Sequence, residues 1–197
     1  MGDRRSPLEI ALRTVIVGIP FRLISQLKVT GREHIPKTGP VIIVANHLSA
    51  ADAIVVPVAT GRPVCFMGKA EYFDRSTLKG KAMASFMNSI GTIPVERSGG
   101  RAALASLDAA QQALSEGKVF ALHPEGTRSP DGRLYRGRTG AARLALKTGA
   151  PLLPCGIVGT DKLQPAGQRF PHPAKVTVRF GPLILPTDYT EGTAASR

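Results

Sequence analysis

Short apolar runs alternate with longer segments of mixed polarity along the chain, which predicts alternating strands and helices. The run Val41–Ala45 (VIIVA) is rich in β-branched residues and is typical of a strand buried on both faces of a parallel sheet. Further strands are predicted at 63–67, 118–122, 151–158 and 174–180, with a short strand or turn at 92–95. Helices are predicted at 50–60, 76–90, 101–116 and 138–148. This order predicts a single α/β domain, with a mainly parallel central sheet flanked by helices.

The most apolar part of the chain lies near its N-terminus. Residues 8–27 (LEIALRTVIVGIPFRLISQL) are interrupted by Arg13 and Arg22, and the longest uncharged stretch, 14–21, has eight residues. A helix that crosses a bilayer needs about 20 apolar residues, so this segment does not span a membrane by itself. It could be an interfacial helix whose arginines, with Lys28, reach lipid headgroups, or a helix packed on the domain's own core.

Composition and charge narrow the class of partner. Lys and Arg number 26 against 14 Asp and Glu, so the net charge of +12 favours anionic partners, such as phosphorylated substrates or lipid surfaces. Aromatic residues make up 5% of the chain and Trp is absent, which argues against a nucleic-acid site built on base stacking. Cys65 and Cys155 lie in apolar runs and predict buried thiols. The four histidines show no metal-ligand spacing, so we expect no metal.

Asn46, His47 and Asp52 directly follow the first buried strand. Ligands of open α/β sheets bind at the carboxyl ends of the strands, and histidine is the side chain best suited to take a proton near neutral pH. A carboxylate on the second imidazole nitrogen would fix the tautomer, provided that His47 lies in the loop and Asp52 in the first helical turn. Ser49-x-x-Asp52 is also a capping-box pattern, so Asp52 could simply serve the start of the helix.

A second polar segment follows the strand at 118–122 and suits an anion. Gly126 lets the backbone approach a ligand, and the guanidinium of Arg128 matches the geometry of phosphate. Arg97 and Lys69 also follow predicted strands and could be further phosphate ligands. Each of these segments, taken alone, could equally be a polar turn or a solvated surface cation.

Four sequence blocks occur in an order that gives the chain a family resemblance. They are NHLSAAD at 46–52, GTIPVER at 91–97, PEGTRS at 124–129 and the apolar LPCGI at 153–157. Any one block is weakly specific, but the four in this order are highly specific. Over about residues 40–160 the chain resembles the glycerophospholipid acyltransferases, and most closely the 1-acyl-sn-glycerol-3-phosphate acyltransferases.

The resemblance implies a glycerol-3-phosphate acyltransferase-like fold and an acyl transfer without a covalent acyl-enzyme. The donor would be acyl-CoA or acyl-carrier protein, the acceptor would be the free hydroxyl of lysophosphatidic acid, and the product would be phosphatidic acid. No cofactor other than the acyl donor is implied. The acceptor could also be glycerol 3-phosphate, another lysophospholipid or a glycolipid. The alternative outside enzymes is a basic membrane-binding module.

The resemblance also assigns residue roles. His47 would be the general base and Asp52 would orient it. The phosphate would be bound by Arg97, Arg128 and Gly126, with Lys69 in support. The loops would be held by Glu125, Thr127 and Asn46, and the acyl or donor region would be lined by Leu153, Pro154 and Cys155.

The apolar N-terminal segment, the few aromatic residues and the resemblance together predict an organisation and a location. We expect a membrane-associating helix over residues 1–30, a catalytic domain over 31–187 and a loose tail over 188–197. The protein would act at the cytoplasmic face of a membrane, as a peripheral or monotopic protein, and would not bind nucleic acid. One departure from the family pattern concerns the site, since His123 stands where the family usually has Phe or another apolar residue.

Overall fold

A computed structural model describes residues 18–89, 91–95, 100–168 and 170–189. Its strands are β1 (Lys28–Thr30), β2 (Val41–Ala45), β3 (Val64–Lys69), β4 (Thr92–Val95), β5 (Val119–Leu122), β6 (Leu152–Val158) and β7 (Thr177–Phe180). Its helices are α1 (Ile19–Ser25), α2 (Asp52–Thr60), α3 (Leu78–Ser89), α4 (Gly100–Ser115), α5 (Gly140–Thr148) and α6 (Thr160–Leu163). Short 3-10 helices lie at Arg32–His34, Ala70–Phe73 and Pro186–Tyr189. The predicted alternation is confirmed, and β1 is a short strand that the apolar pattern did not predict.

The strands of the described ranges form one seven-stranded sheet in the order β1-β7-β6-β2-β5-β3-β4. The strands from β6 to β4 run parallel to one another, and β7 is antiparallel to β6. The predicted α/β fold with a mainly parallel sheet is therefore confirmed. In β2, Val44 lies opposite Leu122 of β5 and Pro154 of β6, so the loops after β2 and β5 leave the sheet side by side, whereas β6 continues to Val158.

Both faces of the sheet are covered, which explains the uninterrupted apolar run of β2. Val41 and Ile43 belong to a core that includes Val55 of α2, on one face. Ile42 belongs to a second core that includes Leu144 of α5, on the other face. All five side chains are 2% exposed or less, and burial of each such side chain contributes about 1.5–3 kcal/mol. The central strands are therefore a firm support for the loops at their carboxyl ends.

Helix α1 is the described part of the predicted N-terminal segment. Phe21 is buried in the core, and the guanidinium of Arg22 donates a hydrogen bond to the carbonyl of Val58 at 2.9 Å. Leu23 on the outer face is 74% exposed. The helix thus packs on the domain, and a membrane role for its outer face remains a prediction. No helix of the described residues is long and apolar enough to cross a membrane, and residues 1–17 and 190–197 lie outside that part of the chain.

Candidate active site

His47 and Asp52 are brought together at the carboxyl end of β2. His47 lies in the loop and Asp52 is the first residue of α2, and Nδ1 of the imidazole is 2.8 Å from Oδ2 of the carboxylate. The same Oδ2 accepts backbone hydrogen bonds from Leu48 at 2.8 Å and from Ser49 at 3.0 Å. Asp52 therefore fixes the loop that leads into the helix and orients the histidine at the same time.

The charge state of Asp52 follows from these contacts. Its side chain is fully buried, whereas that of His47 is 23% exposed. Burial raises the pKa of Asp52, but the hydrogen bonds from His47 and the backbone outweigh this, so the pKa lies below its ordinary value. An ionised carboxylate only accepts hydrogen bonds, so Nδ1 of His47 carries a hydrogen and Nε2 of the neutral ring is free to take a proton.

A second histidine, His123, packs directly against the first. The two imidazole rings are nearly parallel, with centroids 3.9 Å apart and an angle of 8° between their planes. Nδ1 of His123 is 3.0 Å from the carbonyl of Ala45 and 3.1 Å from that of Asn46. The sequence indicated only that a polar group replaces an apolar one near the site. The two rings meet because β2 and β5 end at paired residues, Val44 and Leu122, just before His47 and His123.

The loop after β5 is fastened to the loop that carries the base. The backbone N–H of Ser129 donates to the carbonyl of His47 at 2.8 Å. Gly126 has a φ of +78°, and a Cβ at this position would lie 3.2 Å from Nε of Arg138. The guanidinium of Arg138 thus lies over Gly126. No sequence motif assigns Arg138 a role, although it lies in a segment, residues 118–150, in which Lys and Arg outnumber Asp and Glu.

The proposed phosphate ligands differ in how far the structure locates them. Arg128 and Thr127 are exposed on the loop after β5, and Lys69 is exposed at the end of β3. Glu125 is buried at 8% exposure, and its Oε2 has no hydrogen-bond partner among the described residues. Arg97 lies outside the described residues, so its role remains a prediction from sequence.

The fourth block is joined to the base loop through Asn46. The Asn46 amide donates from Nδ2 to the carbonyl of Ile157 at 2.9 Å and accepts from its N–H at Oδ1 at 2.7 Å. Leu153 and Cys155 are buried in the hydrophobic core on one face of the sheet, and Pro154 between them is half-buried. Burial and the charge of Asp52 raise the pKa of the Cys155 thiol to about 12. These three residues shape the strand, and the later residues of β6 reach the open space.

A cavity of about 610 Å³ lies beside the base loop. Asn46 and Leu48, the two neighbours of His47, form part of its wall. Ile157 and Val158 of β6 and Leu134 of the loop after β5 add apolar surface. The space is mostly apolar and borders the loop that carries His47. No cluster of three or more His, Cys, Asp or Glu side chains suited to a metal occurs in the described ranges.

Known proteins resemble this chain in sequence. A family model described as acyltransferase matches residues 26–158. A chloroplastic 1-acyl-sn-glycerol-3-phosphate acyltransferase of Brassica napus is 33% identical over 140 residues, which are 71% of this chain and 39% of the relative. A 1-acyl-sn-glycerol-3-phosphate acyltransferase of Borreliella burgdorferi is 31% identical over 156 residues, 79% and 60% of the two chains.

The fold also matches a solved structure, the crystal structure of the 1-acyl-sn-glycerophosphate acyltransferase PlsC from Thermotoga maritima. The TM-score is 0.72 at 28% identity, covering 98% of this chain and 76% of that one. The chain spans 39% and 60% of the lengths of the two curated relatives. The family match includes all four sequence blocks, so the resemblance seen in the sequence is confirmed. The chain belongs to the acyltransferase family.

Proposed function

We propose that this protein transfers a fatty acyl group from a thioester donor to the free hydroxyl of lysophosphatidic acid, forming phosphatidic acid. The donor is acyl-CoA or acyl-carrier protein. The observation that carries the proposal is the 2.8 Å contact of His47 with buried Asp52, which leaves the other imidazole nitrogen available as a base. The names of the relatives, 1-acyl-sn-glycerol-3-phosphate acyltransferases, support this choice of acceptor.

The dyad supplies the proton transfers of the reaction. Nε2 of His47 removes the hydroxyl proton as the oxygen attacks the thioester carbonyl, and the Asp52 carboxylate stabilises the imidazolium that forms. The tetrahedral intermediate collapses with cleavage of the carbon–sulfur bond. His47 then returns its proton to the departing sulfur, so the products are an ester and a free thiol. No acyl group is attached to the protein at any step.

Basic residues around the loop after β5 would bind the acceptor phosphate. Arg128 is exposed there and presents a planar set of donors, and Gly126 lets the guanidinium of Arg138 lie close to the backbone of the same loop. Lys69, the last residue of β3, adds a cation at the same carboxyl end of the parallel strands. Arg97 completes the set by its position in the family pattern. We assign Glu125 and Thr127 to support of this loop, because a carboxylate does not bind phosphate directly.

The cavity beside the base loop would hold the acyl chain. Its apolar wall from Leu134, Ile157 and Val158 suits a hydrocarbon chain, and its contact with Asn46 and Leu48 keeps it next to His47. We therefore propose that the acyl chain lies near the carboxyl end of β6, a few residues beyond Leu153, Pro154 and Cys155, which do not line the cavity.

We also propose that the protein works at the cytoplasmic membrane surface, attached peripherally. Leu134 is 78% exposed and Val158 is 66% exposed, both next to the cavity, and Lys162 and Lys175 lie in the cavity wall. Apolar side chains beside cations suit a surface of anionic lipid. In vesicle flotation, Leu134→Gln should weaken binding, and raised salt should release the wild type. Retention through both salt and carbonate would contradict peripheral attachment.

The test of the reaction uses palmitoyl-CoA with an equal mixture of lysophosphatidic acid and glycerol 3-phosphate. Free thiol is followed, the lipid product is identified by mass, and His47→Ala is measured in parallel. Thiol release with phosphatidic acid, abolished in the variant, is the expected result. A lysolipid as the only product would show that the acceptor is glycerol 3-phosphate instead. Absence of turnover with both acyl-CoA and acyl-carrier protein would overturn the proposal.

A further inference from the structure

The proposed base is connected to the hydrophobic core by a row of aromatic rings. The ring of His123 is nearly parallel to that of His47, at 3.9 Å, and is also stacked with Phe66, at 6.3 Å and 23°. Phe66 lies in β3 and is buried in the core at 5% exposure. His123 is therefore the shared member of two stacked pairs, one anchored in the core and one in the site.

The hydrogen bonds of His123 fix its tautomer as well as its orientation. Both groups near Nδ1 are backbone carbonyls, of Ala45 and Asn46, and carbonyls only accept, so Nδ1 carries the hydrogen. Burial, with a smaller contribution from the charge of His47, lowers the pKa of His123 to about 4. The ring is therefore neutral near pH 7. It adds no positive charge beside His47 when that residue takes a proton.

The imidazole of His47 needs such a support, because one hydrogen bond fixes only one point of the ring. The torsion between Cβ and an aromatic ring has broad minima, so rotation about this bond is weakly restrained by local chemistry. The hydrogen bond to Asp52 holds Nδ1. A flat neighbour at 3.9 Å restricts the tilt of the whole ring.

We propose that His123 is a positioning residue for the base: its flat ring, tied to the end of β2 and backed by Phe66, holds the His47 imidazole in the plane in which Nδ1 meets Asp52 and Nε2 remains free for the acceptor hydroxyl. This inference rests on the proposed function for the identity of the base. In this role the imidazole of His123 acts by stacking against the His47 ring and not through its polar atoms. His123 itself carries no proton in the reaction.

Three substitutions separate the ring from its hydrogen bonds. His123→Phe keeps a flat ring, His123→Leu has neither ring nor polar atoms, and His123→Gln has polar atoms without a ring. We expect His123→Phe to keep kcat within about threefold of wild type, whereas Leu and Gln lower it about tenfold or more with KM for both substrates nearly unchanged. Urea unfolding in parallel confirms that each variant is folded under assay conditions.

Two kinetic results would overturn the proposal. Wild-type kcat in His123→Leu would show that no ring is needed, and a loss in His123→Phe as large as in His123→Leu would show that the hydrogen bonds matter instead. The pH dependence of kcat/KM gives a further check. Its acid side should be the same in wild type and His123→Phe, and its disappearance in the Phe variant would make His123 a proton carrier and overturn the proposal.

A readout without turnover separates this inference from the proposed function. The Nδ1 proton of His47, identified by its loss in His47→Ala, should give a downfield NMR signal in wild type and His123→Phe. It should broaden by exchange with water in His123→Leu. That pattern without any acyl transfer would retain the positioning role and reject the proposed reaction. Active wild type with an unchanged signal in His123→Leu would reject the positioning role and retain the reaction.

Discussion

The side chain of Asn46 and the backbone of Ile157 form a closed pair of hydrogen bonds, at 2.9 and 2.7 Å, between residues 111 positions apart in the chain. The amide satisfies both the N–H and the carbonyl of Ile157, as a neighbouring strand would. This pair fixes the backbone immediately before His47 against β6. The first residue of the first sequence block thus holds the base loop in place.

Replacement of one atom tests this role of Asn46. In Asn46→Asp the carboxylate has no donor for the Ile157 carbonyl, so we expect the free energy of unfolding to fall by about 1–3 kcal/mol. We also expect kcat to fall, because the base loop shifts. The matched control is Asn88→Asp, at the chain's other asparagine, which is exposed on α3. Equal effects in both variants by urea unfolding would contradict the assignment.

Asp52→Asn should remove most of the turnover while the fold remains. The N–H groups of Leu48 and Ser49 keep an oxygen at the position of Oδ2, so the ring stays oriented, but the neutral amide no longer stabilises the imidazolium that forms when His47 takes a proton. We expect kcat to fall by about 10²–10⁴-fold, with KM for the acceptor little changed. Steady-state kinetics is the measurement, and Asp188→Asn, at an exposed aspartate, is the control. Activity near wild type would exclude Asp52 from the mechanism.

Gly126→Ala should weaken acceptor binding by more than its backbone strain explains. The new Cβ would lie 3.2 Å from Nε of Arg138 and displace that side chain from above the loop. Gly117→Ala is the matched control, because Gly117 has a φ of +76° and nothing within 4 Å of its added Cβ. Both variants should lose about 1 kcal/mol of stability. Only Gly126→Ala should raise KM for lysophosphatidic acid, as measured with the donor saturating.

His123 should make the native protein sensitive to mild acid. Its pKa is about 4 in the folded state, against about 6.5 in an unfolded chain, so the unfolded state binds the extra proton as the pH falls from 6.5 to 4. Above pH 6.5 His123 is neutral in both states and does not lower the free energy of unfolding. By pH 5 protonation of His123 in the unfolded state should lower the free energy of unfolding by about 2 kcal/mol. Urea unfolding at pH 8 and pH 5 should show this additional loss in wild type and not in His123→Phe; equal losses would contradict it.

Cys155 should be inert although it lies close to the dyad. With a pKa of about 12, its thiolate fraction at pH 8 is about 10⁻⁴. We expect no alkylation of Cys155 by iodoacetamide in the native protein, full alkylation in urea, and unchanged kcat in Cys155→Ala. Mass spectrometry of the alkylated peptides is the measurement. Rapid native alkylation, or an acyl group found on this thiol, would point to a covalent intermediate instead.

The sequence predicted those features whose cause lies within a few residues. The buried strand at 41–45 is legible because a strand covered on both faces is apolar throughout. The contact between His47 and Asp52 was predicted in geometry, because a residue in a loop and a residue five positions later in the first helical turn can meet. The family pattern then gave these two residues their proposed roles.

Features that depend on strand register were beyond the sequence. The stack of His47 on His123 requires Val44 to lie opposite Leu122, and no local pattern fixes that alignment. The placement of Arg138 over Gly126 depends likewise on the course of a long loop. Which members of the apolar string 153–157 face the core was also beyond the sequence: Leu153 and Cys155 are buried, whereas Gly156 is exposed.

The hydrogen bonds that build the site join distant parts of the chain, and this has a consequence for folding. Asn46 is 111 residues from Ile157, and His123 is 78 residues from Ala45. Helices form from local contacts within microseconds, but these pairings must wait until β2 has aligned with both β5 and β6. During refolding we therefore expect the helical signal to return before activity, because activity requires β2 to be paired with both β5 and β6.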